Sequence, residues 1–332
     1  MASRVTVEVE GKQLSLSNLD KVMYPEVGFT KGHVIDYYTR VAPALLPHLR
    51  DRPLTLKRYP NGVEGGHFYE KQCPSHRPEW VRSEPVELRT KTINFCVCDD
   101  LPTLVWLANL ADLELHPSLS NVPEVRRPSI MAFDLDPGEG TGLRECCEVA
   151  LILRAALDQL GLESFAKTSG SKGIQVYVPL NVPGVDYDDG TKRLSQALAR
   201  HLESAHPKLI VSSQRKELRR SKVLIDWSQN DEHKTTVGVY SLRARERPTV
   251  STPVAWEELD DPDALVFEAA DVLERLEAHG DLFAPVVELE QELARRPGGL
   301  RRERRQAAQR HVIERGEDPD LPEPVGVHHS GI

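Results

Sequence analysis

No stretch of the chain approaches the roughly 18 consecutive apolar residues of a membrane-spanning helix, and the N-terminus, MASRVTVEVEGK, lacks the apolar centre of a secretory signal. Membrane-embedded and secreted classes are therefore set aside, and the expected location is the cytoplasm. Cysteine is scarce, with Cys73, Cys96, Cys98, Cys146 and Cys147 among 332 residues. An odd number that includes an adjacent pair fits reduced thiols better than a disulfide framework. Cys96 and Cys98 are spaced C-x-C and no second suitable pair follows, so a structural zinc, which takes about four ligands, is not expected. The chain also lacks an excess of positive charge: its formal net charge is −9. Because cations meeting phosphates dominate nucleic-acid binding, that total taken alone argues against a nucleic-acid partner. Distribution matters more than the sum. Residues 208–222, KLIVSSQRKELRRSK, hold six Lys/Arg against one Glu, whereas 255–293 are strongly acidic. An acidic protein with a local basic groove stays open.

What is present reads as alternating strands and helices with no internal repeat. Residues 5–16 alternate as a short hairpin or edge strand, and Ser17-Asn18-Leu19-Asp20 can cap a short helix. Thr30 reads as the N-cap of an amphipathic helix with Val34, Tyr37, Tyr38 and Val41 on one face, ending or kinking at Pro43. PLTLKRY (53–59) is a strand and Asn61-Gly62 a turn signal. Strands are also expected at 92–98 and 124–135, and a helix over 144–161 closed by Gly161. Residues 166–180 read as strand, Gly-rich turn, strand, then 188–206 as a helix. SKVLIDWSQ (221–229) and TTVGVYSLRA (235–244) read as two strands. Hairpins flanked by helices predict an α+β fold with mixed and antiparallel sheets. Beyond about 249 a loop leads to a helix over VFEAADVLERLEAHGD. The chain then turns basic over 294–310 and ends polar and Pro-rich, a composition suited to a tail.

The chemistry concentrates in three places. In Phe133-Asp134-Leu135-Asp136-Pro137-Gly138 two acids flank Leu135 on a strand, so Asp134 and Asp136 project to the same face. Two close carboxylates repel unless a cation lies between them, and hard divalent metals are the natural partner. Asp226 closes the apolar run Val223-Leu224-Ile225. If its strand neighbours that of Asp134, three acids converge in a set suited to two-metal phosphoryl transfer. Thr168-Ser169-Gly170-Ser171-Lys172-Gly173 joins two strands. Its glycines, hydroxyls, amides and lysine suit a polyphosphate, although the spacing is not that of a Walker A loop. Each feature alone also fits a plain strand end or hairpin turn.

FDLDPG, KTSGSKG, LIDWSQN and YSLRAR, in that order, together with SNLDKVMYPEVGFTKGHVIDYYTRVAPALLPHLRDRPLTLKRYPNG and WLANLADLELHPSLS, resemble the polymerase domain of bacterial ligase-D-type end-joining ligases, within the archaeo-eukaryotic primase superfamily. The resemblance spans roughly residues 10–290. It implies a primase-like catalytic core that adds ribo- or deoxyribonucleotides to a primer strand with Mn2+ or Mg2+, two ions, held by Asp134, Asp136 and Asp226. By the same resemblance Ser169, Lys172 and His116 contact the triphosphate, and Arg243 and Arg245 are active-site arginines. Lys21 and Lys31 form a pocket for a 5′-phosphate at a gap. Phe68 and Tyr69 stack on template bases, with Lys57, Arg58 and Lys71 along the template backbone and the basic stretch carrying Arg219 and Arg220 on the template strand. The implied organisation is a primase-polymerase domain over 1–290, its DNA-end-binding part reaching about 120 and its catalytic core about 120–250, followed by the 291–332 tail. The implied partners are gapped or broken DNA, NTP or dNTP, a DNA ligase acting in trans and Ku, at a bacterial nucleoid.

One departure stands out. The family usually carries His after the Gly-rich turn, and this chain has Gln175, which cannot be positively charged but can still bind the nucleotide by donating a hydrogen bond to a phosphate or sugar oxygen. No K-x-D-G-type ligase motif stands in the chain. End joining, gap filling and priming all remain compatible. A non-catalytic module recognising 5′-phosphates would use Lys21 and Lys31 but not three acids beside a polyphosphate turn. A metal-dependent phosphohydrolase would use the acids but not the template-side aromatics.

Overall fold

In the computed structural model, residues 4–87 and 91–293 are described, and Met1–Glu292 form one compact unit. From residue 294 the expected tail lies outside the described residues. Strands β1 (Arg4–Val9) and β2 (Lys12–Ser17) pair as the expected hairpin. Ser17–Asp20 does not start a helix. Asn18 takes a positive φ, Lys21 N donates to Asn18 O, and this turn feeds β3 (Val22–Tyr24), which pairs β4 (Phe29–Thr30). Thr30 caps α1 (Lys31–Leu49): its side chain accepts from His33 N, and the His33 ring returns a bond to Thr30 N.

Helix α1 does not end at Pro43 but runs through it and Pro47. Tyr37, Tyr38, Val41, Ala42, Leu45 and Leu49 are all buried along it. At ~1.5–3 kcal/mol per buried large side chain, this outweighs the ~3 kcal/mol that each interior proline costs. The next strands, β5 (Pro53–Arg58), β6 (Phe68–Glu70), β7 (Ser83–Glu87) and β8 (Thr92–Val97), are followed by α2 (Leu101–Asn109), which packs on α1, and β9 (Asp112–Pro117). In their sheet β6 and β8 share one edge of β5, β7 extends β8, and β9 takes the other edge of β5.

The second sheet is built on β10 (Ile130–Pro137). After it come α3 (Leu143–Gln159), closed by Gly161 at positive φ, then β11 (Phe165–Thr168), β12 (Ile174–Pro179), α4 (Lys192–Ala205), β13 (Ile210–Val211), β14 (Val223–Asp226) and β15 (Pro253–Val254). The order is β13-β14-β10-β12-β11-β15, antiparallel except for the parallel β13–β14 pair. Helices α5 (Ala269–His279) and α6 (Pro285–Glu288) complete the unit. The mixed sheets and flanking helices are the α+β architecture expected. Among the described residues no helix is long and apolar enough to cross a membrane.

Residues 235–244 are not a strand. They run between the sheets as an irregular seam whose backbone serves both: Gly238 N donates to Leu115 O, Ser241 Oγ accepts from Leu115 N, and Lys167 Nζ donates to Val237 O. Sequence pattern cannot separate this from a strand covered on both faces, because every residue from Thr236 to Leu242 is buried.

The cysteines are a second correction. Cys73 and Cys96 form a disulfide, while Cys98, Cys146 and Cys147 are buried free thiols. The loop after β6 crosses beside β8, where Cys73 N donates to Asn94 O, and this crossing brings together two cysteines 23 apart in sequence. Nothing in their spacing announces it.

Candidate active site

The register of the second sheet sets the site. Asp134 in the central strand β10 lies opposite Asp226 of β14 on one side and Gln175 of β12 on the other, and Gln175 lies opposite Lys167 of β11. Directly opposed residues share a face, so Asp226, Asp134, Gln175 and Lys167 form one lateral row, with Asp136 two residues along on the same face. Gln175 Nε2 donates to Asp134 Oδ1 at 3.1 Å. Lys167 Nζ donates to Gln175 Oε1 at 2.5 Å and to Ser251 Oγ at 2.6 Å. Gln175 is thus a link between a lysine and an acid, an arrangement that orients its amide.

Burial raises the pKa of Asp134, and repulsion from Asp136 raises it further. Asp136 is raised by burial and by Asp226. Asp226 is held by donors: Gln214 Nε2, Ser228 N and Ser228 Oγ reach Oδ1 at 2.7, 2.8 and 2.7 Å, and Gln229 Nε2 reaches Oδ2 at 2.9 Å. As these side chains stand, no group of three or more His, Cys, Asp or Glu among the described residues forms a ready-made metal cage. The donor chemistry nevertheless suits a hard cation. Asp134 and Asp136 are half-buried carboxylates on one face whose ionised forms repel, and a divalent ion relieves that repulsion.

The Gly-rich turn lies at the end of the β11–β12 hairpin. Gly170 takes φ 65°, and a Cβ there would stand 2.6 Å from Val250 C, so both its conformation and its surroundings demand glycine. Ser169 Oγ accepts from Gly173 N at 3.1 Å, closing the turn, and Lys172 is exposed at its tip. Two arginines of the seam grip this turn: Arg243 Nη1 donates to Ser169 O and Arg245 Nη2 to Ser171 Oγ. Arg219 of the basic stretch donates to Gln214 O and Oε1, and so reaches Asp226 through Gln214; Arg220 is exposed.

The first sheet contributes a second row, in which Lys57 of β5 lies opposite Tyr69 of β6 and Glu114 of β9. Lys57 Nζ donates to Glu114 Oε2 at 3.0 Å and lies 5.5 Å from the Tyr69 ring centroid. His116 is half-buried, bonds Glu114 Oε2 at 3.1 Å and has its pKa lowered chiefly by desolvation. Arg58 pairs with Glu70 at 2.7 Å beneath Phe68. Phe68 and Tyr69 are 44% and 58% exposed, large aromatics presented to solvent at a sheet edge. Lys71 Nζ donates to His233 O.

Lys21 and Lys31 meet at the start of α1, where Lys31 N donates to Lys21 O. Lys21 Nζ bonds Pro60 O at 2.5 Å and Asn61 Oδ1 at 3.0 Å, and Lys31 Nζ bonds Ser17 O at 2.6 Å. Burial, then the charges of Lys21 and Arg58, lower the Lys31 pKa to about 8. This cationic corner therefore adjoins the first sheet. Lys167, Glu114, Gln214 and Gln229 belong to the site but escaped the sequence reading. Glu114 had one signal, its place two residues before His116 on the same strand face. The other three are revealed only by strand pairing and loop closure.

The profile of one family, described as LigD, primase-polymerase domain, matches residues 30–283. The chain is 41% identical over 282 residues to the multifunctional non-homologous end joining protein LigD of Mycolicibacterium smegmatis, covering 83% of this chain and 36% of that protein. It is 32% identical over 272 residues to the bifunctional non-homologous end joining protein LigD of Bacillus subtilis, covering 82% of this chain and 44% of that one. The chain thus spans less than half the length of these relatives. Among solved structures, the polymerase domain of Mycobacterium tuberculosis ligase D in complex with DNA is 40% identical with a TM-score of 0.79, over 84% of this chain and 99% of that one. The chain belongs to the family of LigD primase-polymerase domains, a family of nucleotidyltransferases.

Proposed function

We propose that the chain extends a primer strand at gapped or broken DNA ends bearing a 5′-phosphate, by template-directed addition of NTP or dNTP, in end joining or gap filling. The observation that carries this reading is the pairing of Asp134 and Asp226 across adjacent strands, beside a glycine turn gripped by Arg243 and Arg245. In the reaction the primer 3′-oxygen bonds to the α-phosphorus of the nucleotide, and the bond from that phosphorus to the β-phosphate oxygen breaks, releasing pyrophosphate. Two divalent cations, Mn2+ or Mg2+, held by Asp134, Asp136 and Asp226, would supply the positive charge that stabilises the attacking and leaving oxygens. Ser169, Lys172, Arg243, Arg245 and His116 surround the place of the triphosphate and stabilise its charge. Gln175 orients Asp134 through one N–H of its amide, and the second N–H is available to donate to a phosphate or sugar oxygen of the nucleotide.

On the DNA side, Phe68 and Tyr69 offer stacking surfaces that tolerate any base. Lys57, Arg58, Lys71, Arg219 and Arg220 follow the template backbone, and Lys21 with Lys31 takes the 5′-phosphate. A DNA ligase and Ku are the partners that fit such a step in end joining, the process named for the relatives.

Primer extension on gapped DNA, with each nucleotide type and each metal, tests the reading. Asp134→Ala and Asp136→Ala should each abolish extension while leaving DNA affinity within about two-fold, since they remove the charge that organises phosphoryl transfer rather than a DNA contact. Extension near the unmodified rate in both variants would refute it. Retained end binding with no extension by the unmodified protein under any nucleotide and metal would leave a non-catalytic 5′-phosphate-binding module instead.

A further inference from the structure

Beyond the acids and the Gly-rich turn, one buried carboxylate touches three groups that the nucleotide and template readings use, Lys57, His116 and Arg243. Glu114 is only 3% exposed. Its Oε2 accepts from Lys57 Nζ at 3.0 Å and bonds His116 Nε2 at 3.1 Å, and it lies 3.4 Å from Arg243 Nε as an ion pair. Its Oε1 accepts from Ala244 N at 3.1 Å and Tyr59 Oη at 3.4 Å. Three of these partners come from the first sheet and the residue that follows its β5 (Lys57, His116, Tyr59), and two from the seam that grips the Gly-rich turn (Arg243, Ala244). Burial works to raise the Glu114 pKa, but the His116 hydrogen bond and the charges of Arg243 and Lys57 outweigh it and hold the carboxyl well below its ordinary range.

A buried charge is costly unless paired and hydrogen-bonded, and here one anion is shared among three cationic or potentially cationic groups. The cluster therefore keeps a positive surplus available to an anion in the cleft. We infer that Glu114 is a positioning residue that fixes Lys57, His116 and Arg243 in one geometry, coupling the template-side sheet to the triphosphate-binding turn. This rests on the polymerase reading above. A nucleotide seated against Arg243 and His116 and a template strand seated against Lys57 would then share one anchor, so that binding of either pre-organises the groups that meet the other.

The test replaces the charge but keeps the shape. E114Q should raise the apparent KM for the nucleotide about ten-fold or more, with kcat falling less than about three-fold, the pattern of lost binding rather than lost chemistry. E114D, which keeps the charge on a shorter arm, should fall between E114Q and the unmodified protein. In an R243Q background, E114Q should add less than about a two-fold further effect, because residues acting as one unit are not additive. Equilibrium binding of a ribose-labelled fluorescent ATP, with and without gapped DNA, should show that DNA tightens nucleotide binding in the unmodified protein and that E114Q reduces this tightening. An unchanged KM in E114Q, effects that multiply with R243Q, or DNA coupling that persists in E114Q would each overturn the inference. Should E114Q not fold, E114D carries the same comparisons. An unmodified protein that binds the labelled ATP but never extends a primer refutes the polymerase reading alone, because the binding measurements still judge Glu114; one that binds no nucleotide refutes both.

Discussion

Gln175 shows how one side chain's role changes when its neighbours are known. Its Nε2 donates to Asp134 and its Oε1 accepts from Lys167, a lysine with no measurable exposure. Gln175→Leu keeps the volume but removes both bonds, leaving one buried ammonium and one half-buried carboxylate each short of a partner. Unmade bonds of this kind cost about 1–3 kcal/mol each, and more for charged groups. The variant should lose at least ~2 kcal/mol in urea unfolding and extend primers more slowly. A midpoint equal to that of the unmodified protein would show that the link contributes nothing. At this scale the sequence was legible where spacing alone decides direction: D-x-D places Asp134 and Asp136 together by the strand period. It was not legible for Lys167 or Gln214, whose roles follow from which strand or loop lies opposite. The likeness to a family with His at position 175 pointed that residue toward the nucleotide, and the register adds a bond to Asp134 that spacing alone does not announce.

Elements were legible when the pattern was long and locally capped. Thr30 begins α1 and Gly161 ends α3 as read, because caps and left-handed glycines act within a turn of the chain. Misreadings fell where distant packing overrides local signals, as at Pro43 and in the 235–244 seam. The Cys73–Cys96 bridge is such a long-range feature, tying the loop after β6 to β8 and so steadying the edge that presents Phe68 and Tyr69. Closing a loop of 23 residues should stabilise the folded state by about 3 kcal/mol, chiefly by restricting the unfolded chain. Cys73→Ser, or mild reduction, should therefore lower the urea midpoint by a corresponding amount. Extension on gapped DNA should weaken through DNA affinity rather than through nucleotide KM. Coincident unfolding curves under oxidising and reducing conditions would show that the bridge carries no stability.

For the whole molecule, the question is how a chain of net charge −9 meets a polyanion. The cations are gathered rather than numerous: Arg219 and Arg220 on the basic stretch whose Gln214 bonds Asp226, Lys57 and Arg58 on one strand, and Lys21 with Lys31 at the start of α1. This last corner is pre-ordered, with Lys21 bonded to Pro60 O and Asn61 Oδ1 and Lys31 to Ser17 O, so little side-chain freedom is left to lose on binding. A helix N-terminus adds its own attraction for anions. A terminal phosphate carries nearly two charges and an internal phosphodiester one. Each charged hydrogen bond contributes about 1.5–3 kcal/mol, and less where exposed. Gapped DNA with a 5′-phosphate should therefore bind roughly ten-fold or more tighter than the same DNA with a 5′-hydroxyl, and the advantage should shrink as salt rises. Because burial and neighbouring cations lower the Lys31 pKa to about 8, Lys31 is charged below that value and neutral above it. The advantage should hold through neutral pH and fall as pH rises past about 8, some two units before an ordinary lysine would lose its proton. Lys21→Ala with Lys31→Ala should erase both the preference and its pH dependence while leaving affinity for the 5′-hydroxyl DNA nearly unchanged. Fluorescence anisotropy with the two DNAs across pH 6.5 to about 9.5 decides it. Equal affinities for both DNAs in the unmodified protein would remove the phosphate pocket, and a preference that stayed flat to the top of that range would place Lys31 outside it.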